Sequence, residues 1–537
     1  MNSLLKDLNE PQKDAVLSTE GPVLMLAGAG SGKTKALTHR IAYLVAEKGV
    51  QPNQILAVTF TNKAAGEMRE RVLRLIGRRE SDRHFFPFAG TFHSICLRIL
   101  RKDGGHVGLA SNFTIFDATD SLAAVKQAMR QLGVDEKQFN PNLIAGLISS
   151  AKNELIGPSN YAEHARGAAQ EVAAKVYPLY QQTLSQASAL DFDDIIMKTV
   201  QLLKYKELLE KWQNQFPYIL IDEYQDTNHA QYQLVKMLAA KNRNICVVGD
   251  DWQAIYSWRG ANFQNILNFE RDYPEAKVIK LEQNYRSSKN ILDAAHSVIS
   301  RNVVRSEKKL WTDRDGGESV ELLTAFDQDH EGDIICQMIE KAQRQSYAVN
   351  KVLHGMGDAK LDLKDFAVLY RVGAQSRSLE EAFLRHNIPY KIVGGTRFYE
   401  RKEIKDALAY LRFIHNPEDV ISFNRIINLP ARGLGDKSLE RFSQYRRMHN
   451  LRMLDALLSA SQIEGLTTRA RQSLVEFYTL IKNLRDEIEN HSVARFLELV
   501  IKKSGYLEYL DDGTIQAADR IENVKELMSV AETYNEA

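Results

Sequence analysis

Short runs of apolar residues recur along the chain and predict β-strands. The runs are Val23–Ala27, Ile55–Thr59, Tyr218–Ile221, Ile245–Val248, Lys277–Leu281, Val320–Leu323, Phe366–Tyr370 and Tyr390–Val393. Several of them are continuous rather than alternating, which is typical of strands buried on both faces of a parallel sheet. Helical patterns such as Lys35–Ala46 and Lys63–Ile76 lie between the runs. Strand, turn and helix in alternation predict an α/β fold built on a doubly wound sheet.

Two stretches interrupt this alternation with almost wholly helical sequence. The first runs from about Ser94 to Phe216, and the second runs from Phe398 to the C-terminus. We therefore expect an α/β core that carries a helical insertion, followed by a second α/β unit and a helical appendage. Gly394 and Gly395 lie between a short strand pattern and a long helix pattern, and they form a candidate hinge.

The length and composition are those of a multidomain globular protein. The 537 residues exceed what one hydrophobic core usually supports, and 44% of them are hydrophobic and 26% charged. Lysine and arginine number 70 against 69 acidic residues, which excludes a polycationic protein but not a basic groove. The cysteines, Cys96, Cys246 and Cys336, are far apart, so neither a disulfide framework nor a local zinc site is expected. With no apolar run of about 18 residues and no signal-peptide pattern, we expect a cytoplasmic protein without a membrane partner.

A glycine-rich loop follows the first strand and opens a helix. It consists of Ala27, Gly28, Ala29, Gly30, Ser31, Gly32, Lys33 and Thr34. Small residues let backbone amides converge on phosphate oxygens at the N-terminus of the helix. Lys33 is then placed to neutralise the β- and γ-phosphates of a nucleotide, and the Thr34 hydroxyl to bind Mg²⁺. The alternative is a fortuitous glycine turn before a helix.

Two carboxylates come directly after the strand Tyr218–Ile221. Asp222 and Glu223 lie where doubly wound sheets bind their ligands, at the carboxyl end of a buried strand. We expect Asp222 to hold Mg²⁺ through water and Glu223 to orient and deprotonate the attacking water. An acidic pair in this place is also common as a plain helix cap, and it is the phosphate loop that favours nucleotide hydrolysis.

A glutamine and two aromatic residues follow the next strand. Gln253 can detect a γ-phosphate through a hydrogen bond, whereas Tyr256 and Trp258 can offer ring faces to bases, with Arg259 next in the chain. Base stacking on aromatic side chains contributes about 1–3 kcal/mol per base and tolerates any sequence. One element that touches both ligands could couple hydrolysis to movement along a strand. The alternative is that both aromatic residues belong to the core.

A further block follows the strand Lys277–Leu281. Within Gln283–Ser288, Tyr285 can stack on adenine and Arg286 can supply positive charge opposite the phosphate loop. An arginine in that place stabilises the charge of the transition state. The blocks together predict an enzyme that hydrolyses ATP with Mg²⁺.

In this order, the blocks resemble the UvrD/Rep/PcrA group of superfamily 1 DNA helicases over nearly the whole chain. Leu8–Gln12 resembles the group's Q motif, which implies that Gln12 reads the adenine edge. Thr59–Ala65 and Gly90–Ser94 resemble motifs Ia and Ib, which line the single-strand track in the group. The resemblance also implies a nucleotide contact by Arg40. The DNA-contact residues that it implies are Phe60, Thr61, Asn62, Thr91, His93, Tyr256, Trp258 and Arg259.

Three assignments have plain structural alternatives. His93 alone would be an ordinary buried or surface histidine, and Arg40 could belong to a solvated helix face. The turn Pro430–Asp436 resembles a group motif whose backbone amides can face duplex phosphates. A simple interhelical turn has the same pattern.

The resemblance implies RecA-like P-loop motor domains on a parallel sheet, with two helical subdomains inserted or appended. The expected division is 1–91 with 217–280 as motor domain 1A, 92–216 as helical subdomain 1B, 281–394 as the first half of motor domain 2A and 395–537 as helical subdomain 2B. Tyr370–Arg371 and Gln375–Arg377 match the start of 2A, and Gly394–Tyr399 resembles its junction to 2B.

The chain departs from the group's pattern in two places. Trp252 stands where members usually have an acidic residue, just before Gln253. The group's later blocks, one of which bears a second catalytic arginine, are absent, so we expect a C-terminally truncated form with an incomplete domain 2A. Such a form would expose an unpaired sheet edge and apolar surface. The alternative is a natural short form.

The sequence therefore predicts an ATP-dependent 3′ to 5′ DNA helicase and single-strand translocase, with the polarity implied by the resemblance alone. Its expected partners are single-stranded DNA, single-strand/double-strand junctions and repair or replication proteins. Its expected state is a monomer or a weak DNA-dependent dimer. Two alternatives are a nucleotide-gated single-strand DNA-binding fragment that does not unwind, and a helicase–nuclease subunit. Excision repair, replication restart and recombination control share one motor, so the pathway stays open.

Overall fold

The chain divides into two compact units. One consists of Met1–Gly317 together with Lys402–Ala537, and the other of Glu318–Arg401. The computed structural model describes residues 3–79, 85–257, 260–314, 316–353, 361–371, 375–393, 401–511 and 515–532.

The strands described in the first unit confirm the predicted α/β fold with a parallel sheet. They are β1 (Val23–Ala27), β2 (Ile55–Thr59), β3 (Ala89–Thr91), β4 (Thr114–Ile115), β5 (Ala189–Leu190), β6 (Tyr218–Ile221), β7 (Ile245–Gly249) and β8 (Lys277–Leu281). Six of these described strands form one parallel sheet in the order β3-β2-β6-β7-β1-β8. Since the strands are parallel, every connection must cross over a face of the sheet.

Helices lie in these connections. The described helices of this part of the chain are α1 (Glu10–Leu17), α2 (Lys33–Ala46), α3 (Asn62–Leu75), α4 (Phe92–Asp103), α5 (Ala118–Gln131), α6 (Pro141–Asn153), α7 (Pro158–His164), α8 (Ala168–Gln186), α9 (Phe192–Leu202), α10 (Lys206–Gln215), α11 (His229–Ala239), α12 (Gln264–Leu267), α13 (Phe269–Asp272) and α14 (Lys289–Ile299). Of these helices, α2 and α3 pack on one face of the sheet, whereas α4, α9 and α11 pack on the other.

Side chains of the central strands alternate between two apolar layers. In β1, Leu24 and Leu26 join a cluster with α4, α9 and α11, whereas Val23 and Met25 join another with α2 and α3. Every residue of β1 is buried, as a strand covered on both faces must be. The edge strand β8 alternates instead, and its two lysines are exposed, which protects the edge from pairing with other chains.

The residues between β3 and β6 are helical apart from a short ladder that pairs β4 with β5. α5, α6 and α8 enclose their own apolar cluster around Tyr177. Beside it, the buried Lys152 Nζ lies 2.6 Å from Asp191 Oδ2 and 2.9 Å from Asp194 Oδ1. The Tyr180 hydroxyl donates to Asp191 Oδ2 at 2.6 Å. This network ties α6 and α8 to the start of α9.

The second unit holds the described helices α15 (Gln328–Leu353) and α16 (Ser376–Arg385), which pack against each other. The strands predicted at Val320–Leu323, Phe366–Tyr370 and Tyr390–Val393 are wrong, because none of these segments forms a strand.

The reason lies in strand pairing. A strand exists only where a neighbour accepts and donates its backbone hydrogen bonds, and no described strand pairs with these three segments. Their apolar side chains stay exposed instead: the accessible fraction is 94% for Leu322 and 89% for Leu369 and Val393.

The C-terminal part of the first unit is a second helical region. Its helices are α17 (Lys402–His415), α18 (Val420–Ile426), α19 (Asp436–Met448), α20 (Met453–Leu458), α21 (Thr468–Asp486), α22 (Val493–Ser504), α23 (Tyr506–Leu510) and α24 (Ile515–Glu532). The helices α17 to α22 share an apolar cluster around Phe413. This region contacts the first helical region, since Arg412 pairs with Asp120 and Asn416 Nδ2 donates to Ala187 O at 2.7 Å.

The turn Pro430–Asp436 connects α18 to α19. Arg432 braces it from one side by donating to the carbonyls of Ile426 and Ile427 at 3.0 and 3.1 Å. Asn428 Oδ1 accepts the backbone amides of Arg432 and Leu434 at 3.1 and 3.2 Å. Two amides of the turn are therefore bonded within the protein, and the contact with duplex phosphates stays a prediction.

The predicted division into 1A, 1B, 2A and 2B also stays a prediction. Its junction Gly394–Tyr399, with the candidate hinge Gly394 and Gly395, lies outside the described residues. Among the described helices, none is long and apolar enough to span a membrane.

Candidate active site

The carboxyl ends of the six described parallel strands meet at one edge of the sheet. There, β6 leads to Asp222, β7 to Gln253 and β8 to Tyr285, and β1 leads to the phosphate loop. These four strands are neighbours, whereas β2 and β3, which lead to Thr61 and Thr91, lie at one side of them. Open parallel sheets bind ligands at this edge. The strand order thus places the DNA candidates that follow β2 and β3 to one side of the nucleotide candidates.

Two glycines give the phosphate loop its shape. Gly30 has φ +67° and Gly32 has φ +83°, a backbone region that other residues rarely adopt. A Cβ atom on Gly32 would lie 2.6 Å from Gln12 Nε2, so an added side chain would displace the end of Gln12. Gly32 also caps α2 without any side-chain hydrogen bond, which leaves the first amides of the helix available for an anion. The loop fits the phosphates of a nucleotide.

Gln12 and Tyr285 come together beside this loop. Gln12 Nε2 donates to Ser31 O at 3.0 Å, and Asn9 Nδ2 donates to the Tyr285 hydroxyl at 2.8 Å. Asn9 and Gln12 also form the capping box that starts α1, which holds both side chains in place. The Tyr285 hydroxyl donates to Gln283 Oε1 at 2.7 Å, and 44% of the tyrosine remains exposed. The Tyr285 ring thus leaves a face open for a base, whereas both ends of the buried Gln12 amide are bonded within the protein, since Gln12 Oε1 accepts the Asn9 amide at 3.2 Å. The contact of Gln12 with adenine stays a prediction.

Lys33 joins the phosphate loop to the acidic end of β6, because its Nζ lies 3.0 Å from Glu223 Oε2. Burial and repulsion from Glu223 raise the pKa of Asp222 to about 7, although Lys33 opposes the shift. Burial and Glu223 likewise raise the pKa of Asp226 to about 6. Three carboxylates therefore share one ammonium, and the site carries an excess of negative charge.

This donor set fits a divalent cation. Asp226 Oδ1 is buried and has no hydrogen-bond partner among the described residues. A cation close to Asp222 would offset the repulsion that raises both pKa values. The described residues form no cluster of three metal-ligating side chains. Such an incomplete set suits Mg²⁺, which is usually held by one or two carboxylates together with substrate phosphates.

Gln225 is a residue that sequence reasoning missed. It is buried, and its Nε2 donates to Glu223 Oε2 at 3.0 Å and to Asp226 Oδ2 at 3.2 Å. Its Oε1 accepts the backbone amide of Asp250 at 2.9 Å, so the side chain links the ends of β6 and β7. The available signal was a glutamine four positions after a buried strand, close to Asp222 and Glu223, where a buried polar atom needs a partner.

Asp250 organises the block that follows β7. Gln253 Nε2 donates to Asp250 Oδ2, and the Trp252 amide donates to Asp250 Oδ1 at 3.1 Å. Tyr256, three positions after Gln253, is 38% exposed. The predicted γ-phosphate sensor and a predicted DNA contact therefore share one short segment. The other predicted DNA contacts of this segment lie outside the described residues: Trp258 and Arg259.

The two predicted nucleotide-binding arginines differ in their surroundings. Arg286 is exposed and close to the phosphate loop, since a Cβ atom on Gly30 would lie 2.7 Å from Arg286 Cβ. Arg40 is buried and donates to Ala15 O at 2.6 Å and to Thr19 O at 3.3 Å. The structure gives Arg40 a part in holding α1 against α2, and its contact with the nucleotide stays a prediction.

The DNA candidates after β2 and β3 also start helices. The Thr61 and Thr91 hydroxyls each accept the backbone amide three residues later, at 3.1 and 3.3 Å. Phe60 is half-buried against Phe92, with the ring centroids 5.9 Å apart, and Asn62 is exposed. Two helix N-termini therefore begin at this part of the edge, where backbone amides favour phosphate groups.

Phe192 is a second residue that sequence reasoning missed. Its ring is 50% exposed and meets the His93 ring edge to face at 5.6 Å. Burial lowers the pKa of His93, although a backbone hydrogen bond at Phe192 opposes the shift, and this favours the neutral imidazole. The available signal was a large apolar residue in a polar segment, because Phe192 lies among Asp191, Asp193 and Asp194. An aromatic residue in such a segment is not expected to belong to the core.

Two protein families match the chain. The UvrD/REP helicase N-terminal domain matches residues 8–274, and the UvrD-like helicase C-terminal domain matches residues 279–537. The chain belongs to the UvrD/Rep helicase family. It is 48% identical over 538 residues to proteins named ATP-dependent DNA helicase PcrA in Staphylococcus epidermidis and Staphylococcus aureus. Each comparison covers 100% of this chain and 71% of the relative.

The matches to both UvrD/Rep domains bear on the alternative functions. The N-terminal match contains the phosphate loop and the acidic strand end, and the C-terminal match contains Tyr285 and Arg286. A UvrD/Rep helicase with both domains represented is expected to be a motor. The matches therefore weigh against a binding module that does not hydrolyse ATP productively.

Proposed function

We propose that this ATP-dependent DNA helicase of the UvrD/Rep family translocates 3′ to 5′ along single-stranded DNA and unwinds duplex at single-strand/double-strand junctions. One observation carries the proposal. The Lys33–Glu223 ion pair, at 3.0 Å, joins the phosphate loop to the acidic strand end at the sheet edge that also holds the DNA candidates. The polarity rests on the resemblance to the UvrD/Rep/PcrA group.

ATP would bind with its phosphates over the glycine-rich loop. The phosphates would compete for Lys33, which releases Glu223 to accept a proton from the attacking water. Gln253 would hydrogen-bond the γ-phosphate, and Arg286 would stabilise its charge in the transition state. The residues proposed to bind the nucleotide are Gln12, Ala27, Gly28, Ala29, Gly30, Ser31, Gly32, Lys33, Thr34, Tyr285 and Arg286.

Thr34 and Asp222 are the residues that would hold Mg²⁺. When bound with ATP, the ion neutralises charge on the phosphate oxygens. Thr34 lies in the first turn of α2 and Asp222 directly after β6, so they belong to the two elements that the Lys33–Glu223 pair joins.

A short chain of contacts would connect hydrolysis to DNA. Gln225 bonds both Glu223 and the Asp250 amide, and Asp250 in turn holds Gln253. Tyr256 follows three positions later on the same segment. A movement of Gln253 that follows loss of the γ-phosphate would therefore reach a residue placed to stack on a base.

Single-stranded DNA would lie along the β2 and β3 half of the edge. Aromatic rings there can stack on bases without sequence preference, and the helix starts at Thr61 and Thr91 can bind backbone phosphates. The residues proposed to contact DNA are Phe60, Thr61, Asn62, Thr91, His93, Phe192, Tyr256, Trp258 and Arg259.

The test is steady-state ATP hydrolysis by this chain, with and without single-stranded DNA. We expect DNA to stimulate turnover, and Glu223→Gln to bind ATP while turnover falls by about 10²–10⁴-fold. Glu270→Gln, an exposed glutamate in the same unit, serves as the matched control. Turnover near normal in Glu223→Gln would remove this residue as the base, and an absence of DNA stimulation would contradict the translocase.

Polarity needs its own measurement. Streptavidin is bound to one biotinylated end of a single strand, and its displacement is followed after ATP is added. A 3′ to 5′ translocase pushes streptavidin off the 5′ end and not off the 3′ end. Preferential displacement from the 3′ end would reverse the proposed direction.

A further inference from the structure

The segment Ser306–Trp311 joins three blocks of the ATP site, and we call it the strap. Its first residue donates through N and Oγ to Asp251 Oδ2 and Oδ1, at 2.6 and 2.5 Å. The backbone amide of its last residue donates to Glu282 O at 3.1 Å, just before Tyr285. Between these ends, Leu310 packs on the phosphate loop, since a Cβ atom on Gly28 would lie 2.1 Å from Leu310 Cδ2.

Lys308 is the buried centre of the strap. Its Nζ lies 2.5 Å from Asp250 Oδ1 and 2.8 Å from Asp251 Oδ1, and all three side chains are at most 2% exposed. The same Nζ lies 4.6 Å from the ring centroid of Trp252, and the Trp252 indole donates to Ser306 O at 3.2 Å. A buried ammonium that contacts two carboxylates and a ring has little freedom to move.

The carboxylate that Lys308 holds also holds Gln253. Asp250 Oδ1 forms an ion pair with the Lys308 ammonium, and Asp250 Oδ2 accepts a hydrogen bond from the Gln253 side-chain amide. The backbone amide of Asp250 donates to Gln225 Oε1 at 2.9 Å, which fixes the backbone at this residue. The carboxylate can therefore move only by rotation about the side-chain torsions of Asp250. Without the ammonium, the Trp252 backbone amide at 3.1 Å is the remaining contact on Oδ1. The carboxylate is then held less firmly, and the Gln253 amide follows its movement.

We propose that Lys308 is a positioning residue for ATP hydrolysis, because it fixes Asp250 and thereby sets the orientation of the Gln253 side chain towards the γ-phosphate. The inference rests on the proposed role of Gln253 as γ-phosphate sensor. Lys308 acts through Asp250 and does not contact the reacting atoms. The strap runs between the residues that follow β7 and those that follow β8, and it passes over the phosphate loop. Lys308 lies in the half of the strap that is close to β7.

The experiment is a double-mutant cycle on ATP hydrolysis at saturating single-stranded DNA. Lys308→Met keeps the length of the side chain and removes its charge. We expect kcat to fall by about tenfold while KM for ATP changes by less than about threefold, since a misplaced sensor affects the transition state more than binding. Gln253→Ala alone should also lower kcat by about tenfold. Adding Lys308→Met to Gln253→Ala should cost no more than about twofold further, because the two residues act in series.

Lys309→Met is the matched control, since it removes the same charge from an exposed neighbour on the strap and should leave kcat unchanged. The inference would be overturned if Lys308→Met lowered kcat by the same factor with and without Gln253→Ala. That result is expected of a residue that only supports folding. A normal kcat in Lys308→Met would overturn it as well. A normal kcat in Gln253→Ala would instead refute the sensor role itself, and that result is seen in the single variant.

Circular dichroism shows whether Lys308→Met folds. If it does not fold, a second variant provides the test. Lys308→Met with Asp251→Asn removes one charge of each sign and so preserves the net charge of the buried cluster. Its kcat is compared with that of Asp251→Asn alone. We expect a further loss of about tenfold, and an equal kcat in the two proteins would overturn the inference.

Discussion

At the residue scale, backbone conformation places the reactive groups. Gly32 turns the chain into α2 with φ +83°, and Glu223 adopts φ +52°, although it carries a side chain. A left-handed conformation costs a non-glycine residue about 1–2 kcal/mol, and such strain concentrates at functional sites. In Glu223 it accompanies the contact with Lys33 at 3.0 Å. The local geometry of two residues thus joins the phosphate loop to the proposed base.

Gly32→Ala should damage the phosphate loop more than backbone strain alone predicts. The new Cβ atom would lie 2.6 Å from Gln12 Nε2, so Gln12 must also move. We expect a lower melting temperature and a raised KM for ATP. Gly21→Ala is the control, because Gly21 has φ +76° and nothing within 4 Å of the added atom. It should cost only the strain, about 1 kcal/mol, and leave KM unchanged; equal KM values would contradict the proposed contact.

Phe192→Ala should weaken binding of single-stranded DNA by about tenfold, the loss expected from one stacked base. The ring is 50% exposed and removed from the ATP residues, so ATP hydrolysis without DNA should stay normal. Fluorescence anisotropy of labelled oligonucleotides measures the affinity. Leu143→Ala, which removes a side chain that is 51% exposed on α6, should change neither quantity. An unchanged DNA affinity would remove Phe192 from the track.

At the element scale, charged residues hold helix starts in place. Asp191 caps the start of α9, and its carboxylate binds the Lys152 ammonium and accepts a hydrogen bond from the Tyr180 hydroxyl. Asp194, in the first turn of α9, binds the same ammonium. A buried ammonium with two carboxylates is stable only because the hydrogen bonds satisfy its neighbours. The exposed Phe192 comes directly after this cap, so the network also fixes a proposed DNA contact.

Asp193→Asn should stabilise the protein increasingly as pH rises. Burial and the neighbouring Asp191 raise the pKa of Asp193 to about 6, so the folded state holds this proton more tightly than the unfolded chain does. The stability that the proton contributes is present at acid pH and is lost as pH rises through about 6. Asparagine stays neutral, so its advantage should grow by about 1 kcal/mol between pH 5 and pH 7. Melting temperatures of both proteins across this range test the sign, and a constant difference would contradict it.

At the scale of the whole molecule, two helical regions that are far apart in the chain contact each other. Arg412 on α17 pairs with Asp120 on α5, and Lys405 lies 3.3 Å from Asp117. Ile421 on α18 is buried in the apolar cluster of the first helical region. The contact combines apolar packing with ion pairs, and it joins regions on either side of the second unit in sequence.

A double-mutant cycle can measure this contact. Arg412→Ala and Asp120→Ala should show a coupling free energy of about 1 kcal/mol in thermal unfolding, because the Asp120 side chain is only 8% exposed. Arg495 and Glu498, an exposed pair on α22 with side chains 75% and 53% accessible, form the control. Their coupling should lie near about 0.3 kcal/mol. Additive effects at Arg412 and Asp120 would mean that the regions do not pair in solution.

The sequence by itself determined the local chemistry of this protein. The strands Val23–Ala27, Ile55–Thr59, Tyr218–Ile221 and Lys277–Leu281 have the predicted bounds, and β7 is one residue longer than predicted. Buried parallel strands can be predicted from the sequence because a short, continuous apolar run between turn residues is typical of such a strand. The phosphate loop was readable because its glycines and lysine are neighbours in the chain.

Only the tertiary structure decided which distant residues meet. Lys33 and Glu223 are 190 positions apart, and the sheet order brings them to 3.0 Å. The hydrogen bond from the Asp250 amide to Gln225 likewise exists only because β6 pairs with β7. The hydrogen bonds of Arg40 exist only because α1 packs against α2. The same reason explains the wrong strands, since an apolar run such as Val320–Leu323 becomes a strand only where a neighbour supplies its hydrogen bonds. Spatial partners are a property of the folded chain, and local patterns do not contain them.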